Sequence, residues 1–212
     1  MGAWLENQRR LRAIIPNLMK TPLLSILIPT VPERMAQAAA LIASLSWQNE
    51  NGTAEILYLG DDRSRTIGAK RNGLLGLARG KYVAFCDDDD SVSGEYISAI
   101  TAAAEKDVSV ISFRQTAIWD GHSSDVHFSI KNENEQFAPG GITKRFPWHV
   151  CAWRRDLAQS CIFSEKNWGE DADWVEQITP LARTEIHIPQ VLHHYEHGIN
   201  SLAVDFDTSA TA

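Results

Sequence analysis

Cysteine is scarce in this 212-residue chain: Cys86, Cys151 and Cys161 are the full set, with no Cys-x-x-Cys spacing. An odd number cannot all pair internally, which excludes a disulfide-stapled secreted scaffold and points to a reducing compartment, the cytosol by default. No uninterrupted apolar stretch reaches the length of a signal-peptide core or a membrane span. Positive charge is thin as well. The 20 Lys and Arg face 27 Asp and Glu, for a net charge of −7, and their scatter argues against a nucleic-acid footprint. Internal repeats and low-complexity linkers are lacking too. What remains is an ordinary globular composition, 44% hydrophobic, enough for one well-packed core.

In residues 1–22, Trp4, Leu5, Leu11, Ile14, Ile15 and Leu18 alternate with Arg9, Arg10, Arg12 and Lys20 at helical spacing. This predicts an amphipathic helix that docks on the domain, with peripheral membrane contact as the other use of such a face. From residue 23 strand-like and helix-like runs alternate. Strands are expected at 23–28, stopped by Pro29, and at 54–59, 81–86 and 108–113. Between them come helices from Pro32 to about 46, from 67 to 78 with Gly80 as the left-handed stop, and from 94 to 105. Such alternation implies right-handed crossovers and a mostly parallel central sheet flanked by helices, an α/β fold. The second half is irregular and α+β. A hairpin of residues 115–119 and 126–130 is followed by helices near Arg154 and Glu170, and by two late strands at 185–188 and 191–195. The tail, 203–212, is polar, small and loose.

The strongest chemical signal is Asp87-Asp88-Asp89-Asp90, directly after the apolar run Tyr82-Val83-Ala84-Phe85-Cys86. A buried strand of an open α/β sheet delivers its carboxyl end to the ligand crevice, and hard oxygen donors there suit Mg²⁺ or Mn²⁺. Adjacent carboxylates repel one another, so a cation also relieves their electrostatics. An EF-hand loop does not fit, because Val92 stands where its glycine belongs and Ser98 where its last acid belongs. The cluster His193-His194-Tyr195-Glu196-His197 mimics an inverted zincin motif, but Pro189 and Gly198 bracket a segment too short for the helix that motif needs.

Five motifs in register resemble the family 2 glycosyltransferases with the GT-A fold. They are Ser25-Ile26-Leu27-Ile28-Pro29-Thr30, Gly60-Asp61-Asp62-Arg63-Ser64, Lys70-Arg71-Asn72-Gly73 running to Gly80-Lys81-Tyr82, Asp87 to Asp90, and Gly169-Glu170-Asp171. The resemblance spans residues 23–202, divided into a nucleotide-sugar-binding half at 23–113 and an acceptor and catalytic half at 114–202. It implies a GT-A-like single domain that moves a sugar from a nucleotide-diphosphate donor, a UDP-sugar, to the hydroxyl of a glycan or other acceptor. Thr30, Asp61, Asp62, Gly68, Arg71, Asp87 and Asp88 would hold the donor. Asp89 would bind Mn²⁺ or Mg²⁺ with Asp87 and His197, while Asp88 and Asp90 leave the register of ligands open. Asp171 would be the general base of an inverting transfer beside Glu170, with Trp148, His149 and Trp168 on the acceptor side. Arg63 departs from the pattern, because the family carries glycine there. Two alternatives stand beside this reading: a phosphatase of the haloacid-dehalogenase type, whose nucleophile motif the Asp run also resembles, and a nucleotide-sugar or glycan-binding module without turnover.

Overall fold

The computed structural model describes residues 21–197. The amphipathic segment ahead of them and the polar tail after them lie outside this range. Period-two alternation builds the centre. In β1 (Leu24–Thr30), Leu24, Ile26 and Ile28 face one core layer while Leu27 faces the other. In β3 (Tyr82–Phe85), Tyr82 and Ala84 join the first layer, and Val83 and Phe85 the second. Helices α1 (Met35–Gln48) and α3 (Tyr96–Ala104) cover the first layer through Leu41, Leu45, Tyr96, Ile97 and Ile100. Helix α2 (Ile67–Leu77), the short α4 (Arg155–Gln159) and α5 (Glu170–Ile178) cover the second through Leu74, Leu75, Ala158, Trp174 and Ile178. A sheet buried on both faces is the signature of parallel α/β architecture.

β1 pairs in parallel with β2 (Ala54–Gly60) on one side and with β3 on the other. Pro29 does not stop β1, contrary to the sequence expectation. The ladder with β3 ends at Leu27, so on that side Pro29 sits on an edge that loses no hydrogen bond. Gly80 likewise does not close α2 in the left-handed region. The helix ends on Ala78 in extended conformation, and a Cβ on Gly80 would come within 2.5 Å of the Ser25 amide nitrogen.

The remaining helix boundaries agree with expectation within a few residues, but the strands of the second half join differently. The two segments read as separate strands at 108–113 and 115–119 are one strand, β5 (Val110–Trp119), buried on both faces at first and then alternating. It turns at Asp120 and Gly121, both with positive φ (49° and 78°), into β6 (His122–Phe128), and β7 (Ile142–Arg145) extends that flank. A three-residue strand, β8 (Ala152–Arg154), that the sequence did not announce inserts antiparallel between β3 and β5, directly ahead of the expected helix, α4. The two late strands are also one, β9 (Glu185–His197), with a register irregularity opposite Phe113 that accommodates Pro189. β9 runs parallel to β5 and carries β4 (Ser91–Val92) on its far edge. β1, β2, β3, β5 and β9 therefore all run in one direction, and their carboxyl ends share one edge of the sheet.

Candidate active site

At that edge lies a cleft of about 480 Å³. Its walls include Thr30 from β1, Arg71 from α2, Asp87, Asp88 and Asp89 after β3, Trp119 at the end of β5, Tyr195 from β9 and Glu170-Asp171 opening α5.

Arg71 is the hub. It is buried, donates from Nε to Glu170 Oε1 at 3.1 Å and from Nη2 to Asp87 Oδ2 at 3.2 Å, and rests on Phe85 with 5.2 Å to the ring centroid. Burial alone would pull its pKa down, but Asp87, Glu170 and Asp171 raise it above the ordinary arginine value. In return Arg71, with His149, outweighs burial and holds the Asp87 carboxyl well below the usual range. Lys70, the preceding residue, is equally buried and binds Asp61 Oδ1 at 2.7 Å and the Thr30 carbonyl at 2.9 Å.

His149 stands between the two acidic groups, Nε2 at 3.7 Å from Asp87 Oδ2 and Nδ1 at 3.6 Å from Asp171 Oδ2. Neither ring nitrogen has a hydrogen-bond partner among the described residues. Glu170 is committed to Arg71, whereas Asp171 is partly exposed to the cleft, with Oδ1 accepting the Ala172 amide at 2.8 Å.

Asp89 has a different environment. Burial and the negative charge of Asp87 and Asp90 push its carboxyl up to about 6, against the pull of Arg34. Arg34 Nη1 bridges Asp89 Oδ2 at 2.6 Å and Asp88 Oδ1 at 3.0 Å. A loop of hard carboxylate oxygens whose own repulsion resists ionisation fits a divalent ion, and Arg34 already meets part of that demand.

Of the residues expected at the site, Thr30, Arg71, Asp87, Asp88, Asp89, Trp148, Trp168, Glu170 and Asp171 line the cleft. Asp61 reaches it through Lys70, and His149 lies behind the wall. Asp62 is exposed and off the wall. Gly68 packs against the loop before α5: a Cβ there would sit 1.9 Å from the Ser164 carbonyl oxygen. His197 stacks on Trp119 at 4.0 Å between ring centroids and does not line the cleft. The histidine that meets the aspartate run is His193, with Nε2 3.2 Å from Asp90 Oδ2 and Nδ1 2.9 Å from Gln115 Nε2. With Cys86, these residues form a buried Cys-Asp-His group whose ligand atoms lie within 4.8 Å of one another. Burial and the four aspartates push the Cys86 thiol up, so it stays protonated and the group reads as a packed hydrogen-bond network.

Sequence reasoning missed Arg34, Lys70, Arg145, Trp119 and Tyr195. Only the Lys70-Arg71 pair left a trace, two cations in a helix without another charge.

A doubly covered sheet whose parallel strands end at a carboxylate-lined cleft fits a glycosyltransferase of the GT-A type. The sequence matches Glycosyl transferase family 2 over residues 25–162, and the chain belongs to that family. No curated protein matches it. Its fold is similar to that of S. aureus TarS. For TarS residues 1–349 in complex with UDP-GlcNAc, the TM-score is 0.62 at 14% identity, covering 89% of this chain and 61% of the other. The UDP complex of the same fragment gives 0.58 at 14% identity, covering 82% and 60%. A further TarS structure gives 0.56, also at 14%, covering 82% and 36%. The chain thus spans less than two thirds of the length of each of these TarS structures.

Proposed function

We propose that this chain transfers a sugar, with inversion, from a uridine diphosphate sugar to an acceptor hydroxyl. The observation that carries this reading is the pairing across His149: a carboxylate open to the cleft, Asp171, faces an aspartate cluster with an unmet demand for positive charge. Family membership supports the reaction class, and the TarS complexes with UDP-GlcNAc and UDP support the donor class.

In this reading Asp171 accepts the acceptor's proton as that oxygen attacks the anomeric carbon opposite the leaving nucleotide. Asp89 and Asp87 would hold Mn²⁺ or Mg²⁺, which neutralises the departing diphosphate when bound. Arg71 fixes Asp87 and Glu170 in place. Thr30 and Lys70, with Asp61 behind them, form the nucleoside end of the cleft, Asp62 would meet the base from outside that wall, and Trp148 and Trp168 flank the acceptor end. The phosphatase alternative loses its ground with the family match. It also places its nucleophile on a first strand, whereas two βα units precede the cluster here.

Thermal-shift measurements with nucleotide sugars, with and without Mn²⁺, test the proposal, because ligand bound only to the native state raises Tm by mass action. UDP-sugars should raise Tm in the presence of Mn²⁺, and an unchanged Tm across the panel would overturn the donor assignment. Donor binding without hydrolysis or transfer would favour the non-catalytic module.

A further inference from the structure

The cations of the cleft are not equivalent. Lys70 and Arg71 are buried against carboxylates, Arg34 bridges two more, and Arg63 and Arg65 in the same wall are exposed to solvent. Arg145, at the end of β7, also lines the cleft, half-buried with its guanidinium 5.6 Å from the Trp148 ring centroid, yet it has no carboxylate within ion-pairing distance among the described residues. Burial lowers its pKa, opposed chiefly by the negative charge of Asp171. Its contact with Trp148 and its electrostatic interaction with Asp171 put Arg145 at the Asp171 end of the cleft, whose lining also includes Trp119, Trp168 and Tyr195. A desolvated guanidinium without a counter-ion is costly, and a planar fork is matched by a carboxylate or phosphate. Aromatic rings of the same cleft suit a sugar ring: Trp168 is 65% exposed, and Trp119, one face of which is covered by His197, is 38% exposed.

Resting on the glycosyltransferase reading above, we propose that Arg145 binds an acidic group on the acceptor, so that the acceptor is an anionic carbohydrate, carrying a carboxylate or a phosphate near the hydroxyl that is glycosylated. Lys70, Arg71 and Arg34 at the donor end are already matched to carboxylates, whereas Arg145 offers a cation at the acceptor end.

The test uses the full chain saturated with UDP and Mn²⁺, with tryptophan fluorescence as the readout. Methyl β-glucuronide is compared with methyl β-glucoside, which differs in one acidic group, and glucose 6-phosphate with glucose, so that the two arms separate carboxylate from phosphate. At least one acidic probe should bind about tenfold tighter than its neutral partner, the range of a charge-assisted bidentate pair. Arg145→Gln should abolish that difference while leaving UDP affinity unchanged, and Arg145→Lys should restore part of it. The Gln variant without ligand should melt no lower than wild type, since it removes an uncompensated charge. Equal binding of acidic and neutral probes, no quenching by either acidic probe at millimolar concentration, or loss of UDP affinity in Arg145→Gln would each overturn the proposal. Failure of the wild type to bind UDP would instead overturn the donor reading on which it rests.

Discussion

Arg71 and Glu170, 99 residues apart, share a buried hydrogen bond of 3.1 Å that ties the middle of α2 to the first turn of α5. Because the same guanidinium reaches Asp87, one side chain sets the spacing between the aspartate loop and the segment that carries Asp171. Replacing it with methionine leaves Glu170 buried without its counter-charge and Asp87 without its main partner. Arg71→Met should cost about 3–5 kcal/mol in urea unfolding, the range for breaking a buried ion pair on one side.

Asp171→Asn separates binding from proton transfer, since the amide keeps the shape and removes the basic oxygen. The variant should bind UDP as wild type does and transfer sugar at least about a hundredfold more slowly in single turnover. Undiminished transfer would move the base elsewhere.

Arg34 competes for the oxygens that would hold a metal. Arg34→Gln should therefore tighten Mn²⁺ binding, measured by calorimetry in the absence of nucleotide, by roughly fivefold, which corresponds to about 1 kcal/mol for a partly screened ion pair. Weaker Mn²⁺ binding would show that Arg34 supports the loop instead.

Arg63 adopts φ 66° in the loop that follows β2. Arg63→Gly and Arg63→Ala both remove the guanidinium, but only glycine releases the backbone. The glycine variant should be the more stable of the two by about 1 kcal/mol in chemical denaturation.

Asp125 is held below the ordinary carboxylate range chiefly by hydrogen bonds from Arg114, one of them 3.0 Å from Nε to Oδ1. A depressed folded-state pKa gives stability that is present above the unfolded value and lost as pH falls through the folded one. Both side chains are about a third exposed, so Asp125→Asn should cost only about 0.5–1 kcal/mol at neutral pH. Its Tm should converge with wild type in strong acid.

The first half of the fold was legible because each element there is a local pattern: apolar runs at β1, β2 and β3, and an amphipathic spacing between them. Pro29 misled because a proline marks an edge, and which residue of a central strand lies past its neighbour's end is a tertiary fact. β8 is too short for any periodicity to reveal. The site divides in the same way. Asp87, Asp89, Arg71 and Asp171 sit in motifs that mark themselves, whereas Arg34 and Arg145 are isolated residues that only the tertiary fold brings to the cleft. His193 displaced His197 beside the aspartates because β9 pairs with β4 at residues 193 and 194.

The insertion of β8 also bears on the order of assembly. β3 and β5 are both complete by residue 119, yet β8, which lies between them, comes from residues 152–154. As the chain leaves the ribosome, two apolar strands remain with open edges until some thirty further residues have emerged, a non-local closure of the kind that slows folding. A product cut short before Ala152 would retain those edges permanently and would be prone to self-association, so aggregation of such truncations is built into the strand order.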